Sequence, residues 1–184
     1  MRFYFIAVIM MGALWLLCEN GALQVSDYFW ETSRFMASGK QDLQIELPVC
    51  LEPLSTQDEG YTVYQAEGEN IFADLHSEPL YLSEDRARYA QEGPQKRVLK
   101  IIDKYNVQDA EMTHQQMEVV NHIPLRRFHF IGQQKGQDVE IEVVTVSRKS
   151  IGWIFTFFYD AGDKEAERQV QKGIQSLQYV ERNR

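Results

Sequence analysis

One stretch constrains the fold of this chain more than any other: Asn121 to Gln178, where strand pairing can be registered residue by residue. Gln134-Lys135-Gly136-Gln137 is a tight-turn signal between two apolar runs. With Lys135 and Gly136 at the turn centre, Phe130 falls opposite Ile141 and Phe128 opposite Val143. Side chains alternate with period 2, so these four share one face. On the other face His129 lies across from Glu142, and Ile131 from Glu140. The next turn spans Arg148 to Gly152 and leads into Trp153–Tyr159. There Trp153, Phe155, Phe157 and Tyr159 share one face. Ile154 and Phe158 share the other, with Val144 and Val146 as expected neighbours. Asp160 or Asp163 then caps a helix whose Ala166, Val170, Ile174 and Leu177 recur at helical spacing.

Apolar residues on both sides of a sheet need cover on both sides. The expected fold class is therefore α+β, an antiparallel β-sheet with helices packed on both faces. Part of that cover is expected from an amphipathic segment carrying Val98, Leu99, Ile101, Ile102 and Tyr105, after an earlier helix opened by Ser83 is interrupted at Gly93-Pro94. Tyr61 to Leu75 reads as a second hairpin around Glu67-Gly68-Glu69-Asn70, and Met112 to Val120 as a polar-rich strand.

Leu43-Gln44-Ile45-Glu46-Leu47-Pro48, Asn121-His122-Ile123-Pro124, Trp153 to Tyr159 and Ile174-Gln175-Ser176-Leu177 together carry a resemblance. In that order they resemble the domain shared by the photosystem PsbP proteins, the bacterial lipoprotein DcrB and a eukaryotic Ran-binding nuclear-transport factor. The resemblance spans about residues 40–180. It implies a PsbP-like sandwich and a non-catalytic accessory role, because the matching motifs contain no catalytic signature.

The chain's start points to export. One basic residue, Arg2, precedes sixteen uncharged residues from Phe3 to Cys18, the n-region and h-region of a signal. Residues 1–22 are expected to be a cleaved signal peptide, ahead of a retained N-terminal membrane anchor through residues 3–18. A lipid anchor on Cys18 ranks third, because Leu17 stands where a small residue should precede the cysteine. Arg2 on the cytoplasmic side places the rest outside, periplasmic or secreted. Residues 23–41 are a lead-in, with a helical turn capped by Ser26-Asp27 and carrying Phe29, Trp30, Phe35 and Met36. Residues 42–180 form a single domain.

The net charge of −8 and the lack of a basic stripe argue against a nucleic-acid surface. Cys50 has no Cys-x-x-Cys partner and reads as a small buried hydrophobe. The four histidines, His76, His114, His122 and His129, show no zinc-ligand spacing. No nucleophile elbow, phosphate-cradling loop or His-Glu-x-x-His is present. No cofactor, metal or catalytic residue is expected. The expected function is an exported cell-envelope module that binds an envelope protein. Its candidate interaction surface is Phe29, Trp30, Arg126, Arg127, His129 and Glu142, with His129 and Glu142 touching across the hairpin in a structural role. The alternative is an extracytoplasmic small-molecule or lipid binder, with a cleft near Gly93-Pro94.

Overall fold

The computed structural model describes residues 30–36, 41–54, 62–79, 95–148 and 151–181. The chain divides after Trp30 into two units, and Glu31–Arg184 carries all the elements that follow. The expected leader, the Ser26-Asp27 cap, the helix from Ser83 and the Gly93-Pro94 break lie outside the described residues.

Among the described residues there are ten strands and two helices. The strands are β1 (Glu31–Met36), β2 (Gln41–Leu47), β3 (Glu52–Pro53), β4 (Thr62–Glu67), β5 (Phe72–Pro79), β6 (Gln108–Val120), β7 (Ile123–Gln134), β8 (Gln137–Arg148), β9 (Ile151–Asp160) and β10 (Gln178–Glu181). Helix α1 covers residues 95–104 and α2 is Lys164–Ser176. A seven-stranded sheet has the order β3-β4-β5-β9-β8-β7-β6, and a three-stranded sheet the order β1-β2-β10. The pairs in both sheets are antiparallel.

The central hairpin forms in the expected register, with Phe130 opposite Ile141, Phe128 opposite Val143, and His129 opposite Glu142. Lys135 and Gly136 take positive φ values of 53° and 82°, as a two-residue type I′ turn demands. The second hairpin also forms, with Ala66 opposite Ala73.

One apolar cluster joins Trp153, Phe155, Phe157, Val144 and Val146 of the large sheet to Phe35 of β1, Leu43, Ile45 and Leu47 of β2, and Ala166, Val170 and Ile174 of α2. Asp163 caps α2 by accepting from the backbone N–H groups of Glu165 and Ala166, each at 3.0 Å. Helix and small sheet meet closely. A Cβ on Gly173 would lie 2.5 Å from Leu47 Cδ2 and 3.3 Å from the Glu46 carbonyl oxygen, so a larger residue at that crossing requires Leu47 to shift. One helical turn on, Ser176 Oγ accepts from the Glu46 N–H at 2.8 Å. A second cluster lies on the other side of the large sheet and contains Phe128, Phe130, Ile141, Val143, Ile154 and Phe158, with Val98, Ile101 and Ile102 from α1.

This corrects the expected α+β sandwich with helices packed on both faces. The described chain is mostly strand, in two antiparallel sheets with two short helices, and helices are not packed on both faces. A second sheet supplies much of the cover over Trp153 and Phe155. On the opposite face the apolar cover ends before Met117 and Val119, which stand 70% and 69% exposed.

Three smaller expectations also change. Val144 and Val146 pair with Phe155 and Trp153, so they share the face of those rings and not that of Ile154 and Phe158. Phe35 and Met36 belong to a strand, and Phe35 is buried. Cys50 is exposed, not buried; its sulfur accompanies Glu31 and Ser33, and the hydrogen bond to the neighbouring Glu31 carboxylate raises the thiol pKa.

Phe155 and Phe157 are 1% and 0% exposed. Phe155→Ala and Phe157→Ala should each cost about 3–5 kcal/mol, read from urea unfolding midpoints. Midpoints near the wild-type value would show that these rings are not in the core.

Candidate functional site

Strands β6, β7 and β8 carry a polar ladder at one end of the face that buries Trp153 and Phe155. It grows from the alternation of β7: Phe128 and Phe130 turn to one face, which sends Arg127 and His129 to the other. Register sets His129 opposite Glu142, but the two do not pair. Arg127 Nε donates to Glu142 Oε1 at 2.5 Å, and His129 Nε2 lies 3.2 Å from Glu140 Oε2. Both contacts step two residues along β8 from the directly opposed position. Such diagonals are in reach of long side chains on a twisted sheet. Arg127 reaches the other way as well, to Glu118 Oε1 on β6 at 3.8 Å.

The expected His129–Glu142 contact is thus replaced by two diagonal pairs. The electrostatics follow from their surroundings. Burial opposes the Arg127 charge, but Glu142 and Glu118 outweigh it and hold the guanidinium firmly protonated. Burial works against the Glu140 charge too, yet the Gly162 N–H at 3.0 Å and the His129 ring hold its carboxyl below the usual carboxylate range. Burial, followed by the nearby Glu140 and Glu142 charges, pushes the Tyr159 hydroxyl above its ordinary pKa.

Thr113 Oγ1 lies 2.5 Å from His129 Nδ1, completing a hydroxyl–imidazole–carboxylate row through Glu140. A register shift between Met112 and His114 makes Thr113 the extra residue of a bulge on β6, and bulges re-aim side chains. Thr113 is exposed on an edge strand. The row ties β6 to β7 and β8. Among the described residues no group of three His, Cys, Asp or Glu side chains converges as a metal site would require.

The six residues of the candidate interaction surface separate. Arg127, His129 and Glu142 share the ladder. Arg126 is exposed on the opposite face, opposite Met117 in register. Trp30 is half-buried just ahead of β1, and Phe29 lies outside the described residues. Sequence reasoning passed over Glu118, Glu140 and Thr113 as partners, and Met117 and Val119 as exposed apolar groups. Glu140 was within reach of a diagonal argument. The bulge that presents Thr113 leaves no turn residue to announce it.

No protein-family profile matches the chain, and no curated protein matches it. Solved structures do. The solution structure of the cyanobacterial PsbP (CyanoP) from Synechocystis has a TM-score of 0.51 at 8% identity, over 81% of this chain and 92% of that one. A putative regulator of unknown function from Pseudomonas aeruginosa has a TM-score of 0.46 at 15% identity, over 84% and 99%. LpqN, involved in cell envelope biogenesis of Mycobacterium tuberculosis, has 0.41 at 14%, over 88% and 98%. At these identities the likeness is one of fold, and the first comparison makes that fold PsbP-like.

Two outcomes follow from the ladder. Arg127→Leu strands the buried Glu142 carboxylate and should cost about 3 kcal/mol, the low end for a broken buried pair, because Arg127 keeps some contact with water. Arg127→Leu with Glu142→Leu should recover most of that loss; a double variant as unstable as the single would show that the pair is not coupled. Glu140 has a depressed folded pKa. Its stabilisation is full above the unfolded carboxylate value of about 4.3 and fades as pH falls through the lower folded value. Glu140→Gln should therefore flatten the dependence of stability on pH below about pH 5. Urea melts between neutral and acid pH check this, and parallel curves for variant and wild type would refute it.

Proposed function

We propose that this chain is an exported, non-catalytic accessory protein of the cell envelope that works by binding another protein. Its PsbP-like fold and the leader pattern of residues 3–18 support the extracytoplasmic part. Among the described residues no helix is long and apolar enough to cross a membrane; residues 3–18 are outside them.

The observation that carries the binding role is the exposed face of β6. Apolar side chains of the two clusters are buried throughout, yet Met117 and Val119 are 70% and 69% exposed. They sit two residues apart on one face of an edge strand, with exposed Arg126 opposite Met117. Methionine adapts to varied partner surfaces, and arginine is enriched in interfaces. A solvent-facing edge strand ordinarily carries polar groups that discourage pairing, and uncovered apolar side chains there mark a contact site more often than chance. The ladder of Arg127, His129 and Glu142 lies on the other face, where it holds this edge strand to the sheet. An apolar ligand cleft near Gly93-Pro94, the alternative expected from sequence, falls on residues outside the described ones.

A photo-crosslinker placed at position 117 of the full chain, in cells, should give a discrete adduct with an envelope protein. Val119→Lys should abolish that adduct while the melting midpoint stays near wild type. A reporter active only outside the cytoplasm, fused after residue 30, should be active. A silent reporter would remove the envelope assignment, and an adduct unchanged by Val119→Lys would remove the β6 face from the interaction.

A further inference from the structure

We propose that a polar cleft at the seam between the two sheets binds a small organic anion through Arg148. The site shares no residue with the Met117–Val119–Arg126 face and stands independently of the protein-binding role. The cleft has a volume of about 750 Å³ and is lined by Gln41, His122, Ser147, Arg148, Gln178 and Tyr179, among others. That size is in the range of small-molecule sites. Four chain segments meet there: the start of β2, the tip of the β6–β7 hairpin, the end of β8 and the start of β10.

Arg148 is the centre of the site. Its guanidinium carbon lies 4.0 Å from the centre of the Tyr179 ring. The guanidinium also donates to the Tyr179 hydroxyl, and its remaining N–H groups are left to meet a planar oxyanion. The arginines of the polar ladder and of α2 differ. Arg127 is paired with Glu142, and Arg168 with Glu165. Among the described residues no carboxylate pairs with Arg148. In a chain of net charge −8, a pre-oriented guanidinium with no internal carboxylate is a ready donor to an external one.

The rest of the wall fits that ligand class. Gln41 and Gln178 offer amide N–H groups, Ser147 a hydroxyl, and His122 a ring nitrogen. The nearby end of α2 does not oppose an anion, because Asn121 Nδ2 donates to the Gln175 and Leu177 carbonyls at 2.9 and 3.0 Å and occupies them. The hairpin tip carries a further sign of use. Asn121 and His122 both have positive φ, 47° and 66°. Glycine is the unstrained choice at the second position of such a turn. Histidine there is held in a costlier conformation, the sort of local strain that clusters at ligand-binding positions. The shared chemistry is a carboxylate or phosphate oxyanion on a small molecule.

Isothermal titration of the full chain with succinate, and separately with inorganic phosphate, tests the proposal. At least one should bind saturably. Binding by succinate alone identifies a carboxylate ligand, and binding by phosphate alone a phosphate ligand. Arg148→Gln should weaken binding roughly tenfold or more, the loss expected for hydrogen bonds to a charged group. Arg148→Lys, which keeps the charge without the fork, should weaken it less and guards against a folding defect in the glutamine variant. Saturable binding by neither anion, or undiminished binding by both variants, would overturn the proposal.

Discussion

Strand β9 sets the terms for the whole structure. Nine consecutive residues, Ile151 to Tyr159, are buried, so the strand needs dry neighbours on two faces and paired strands on two edges. The edges are met by β5 and β8. The faces are met by different devices. Toward Trp153 and Phe155 the chain folds a second sheet, and it seats α2 beside β2 by placing Gly173 at the crossing and Ser176 one turn later. A larger residue at 173 would require Leu47 to shift within the cluster. Toward Ile154 and Phe158, which share their face with Phe128, Phe130, Ile141 and Val143 of the neighbouring strands, the cover comes from Val98, Ile101 and Ile102 of α1. The cover on that side does not reach the β6 edge, which is why Met117 and Val119 meet water.

What the sequence revealed divides along a physical line. Pairing across a two-residue turn is local, and Lys135-Gly136 determined it through backbone conformation alone. The β8–β9 connection departs from the turn that Arg148 to Gly152 suggests. Both strands extend into it: Arg148 lies opposite Ile151, and Ser147 opposite Gly152. That shortening moves Val144 and Val146 onto the face of Trp153 and Phe155. Strand β1 was hidden for a different reason. Its sequence Glu-Thr-Ser-Arg-Phe-Met has one aromatic on the inner face, and its Ser33 is buried because Oγ accepts from the Leu51 N–H at 3.2 Å. A polar side chain satisfied by distant backbone leaves no periodic signal. The second sheet therefore could not be anticipated from alternation, and helices were expected in its place.

The candidate site shows the same division. Register put His129 opposite Glu142, but twist decided the partners. A long side chain on a twisted sheet reaches the diagonal neighbour as well as the opposed one. The two charge pairs then run in parallel across β7 and β8, and Glu118 extends them to β6. Because Glu142 is nearly inaccessible to water, its arginine has little freedom to serve a ligand. Arg127 is internally committed, whereas Arg148 lies against Tyr179 and meets no carboxylate among the described residues. Composition alone treats the two as equivalent positive charges.

The β6–β7 hairpin connects the two exposed features. Its tip supplies Asn121, His122 and Pro124 to the seam cleft, and its strands present Val119, Met117 and Arg126 a few residues away. Pro124 stands opposite Val119 in register, so one cross-strand pair has the cleft on one side and the exposed edge on the other. Asn121 in turn ties the tip to the end of α2, and α2 is held to β2. The tip is thus fixed to both sheets through side-chain and backbone contacts, not left as a free loop. Any free-energy coupling between an anion in the cleft and a protein on the β6 edge would have to act equally in both directions. The hairpin tip is a physical connection through which it could pass.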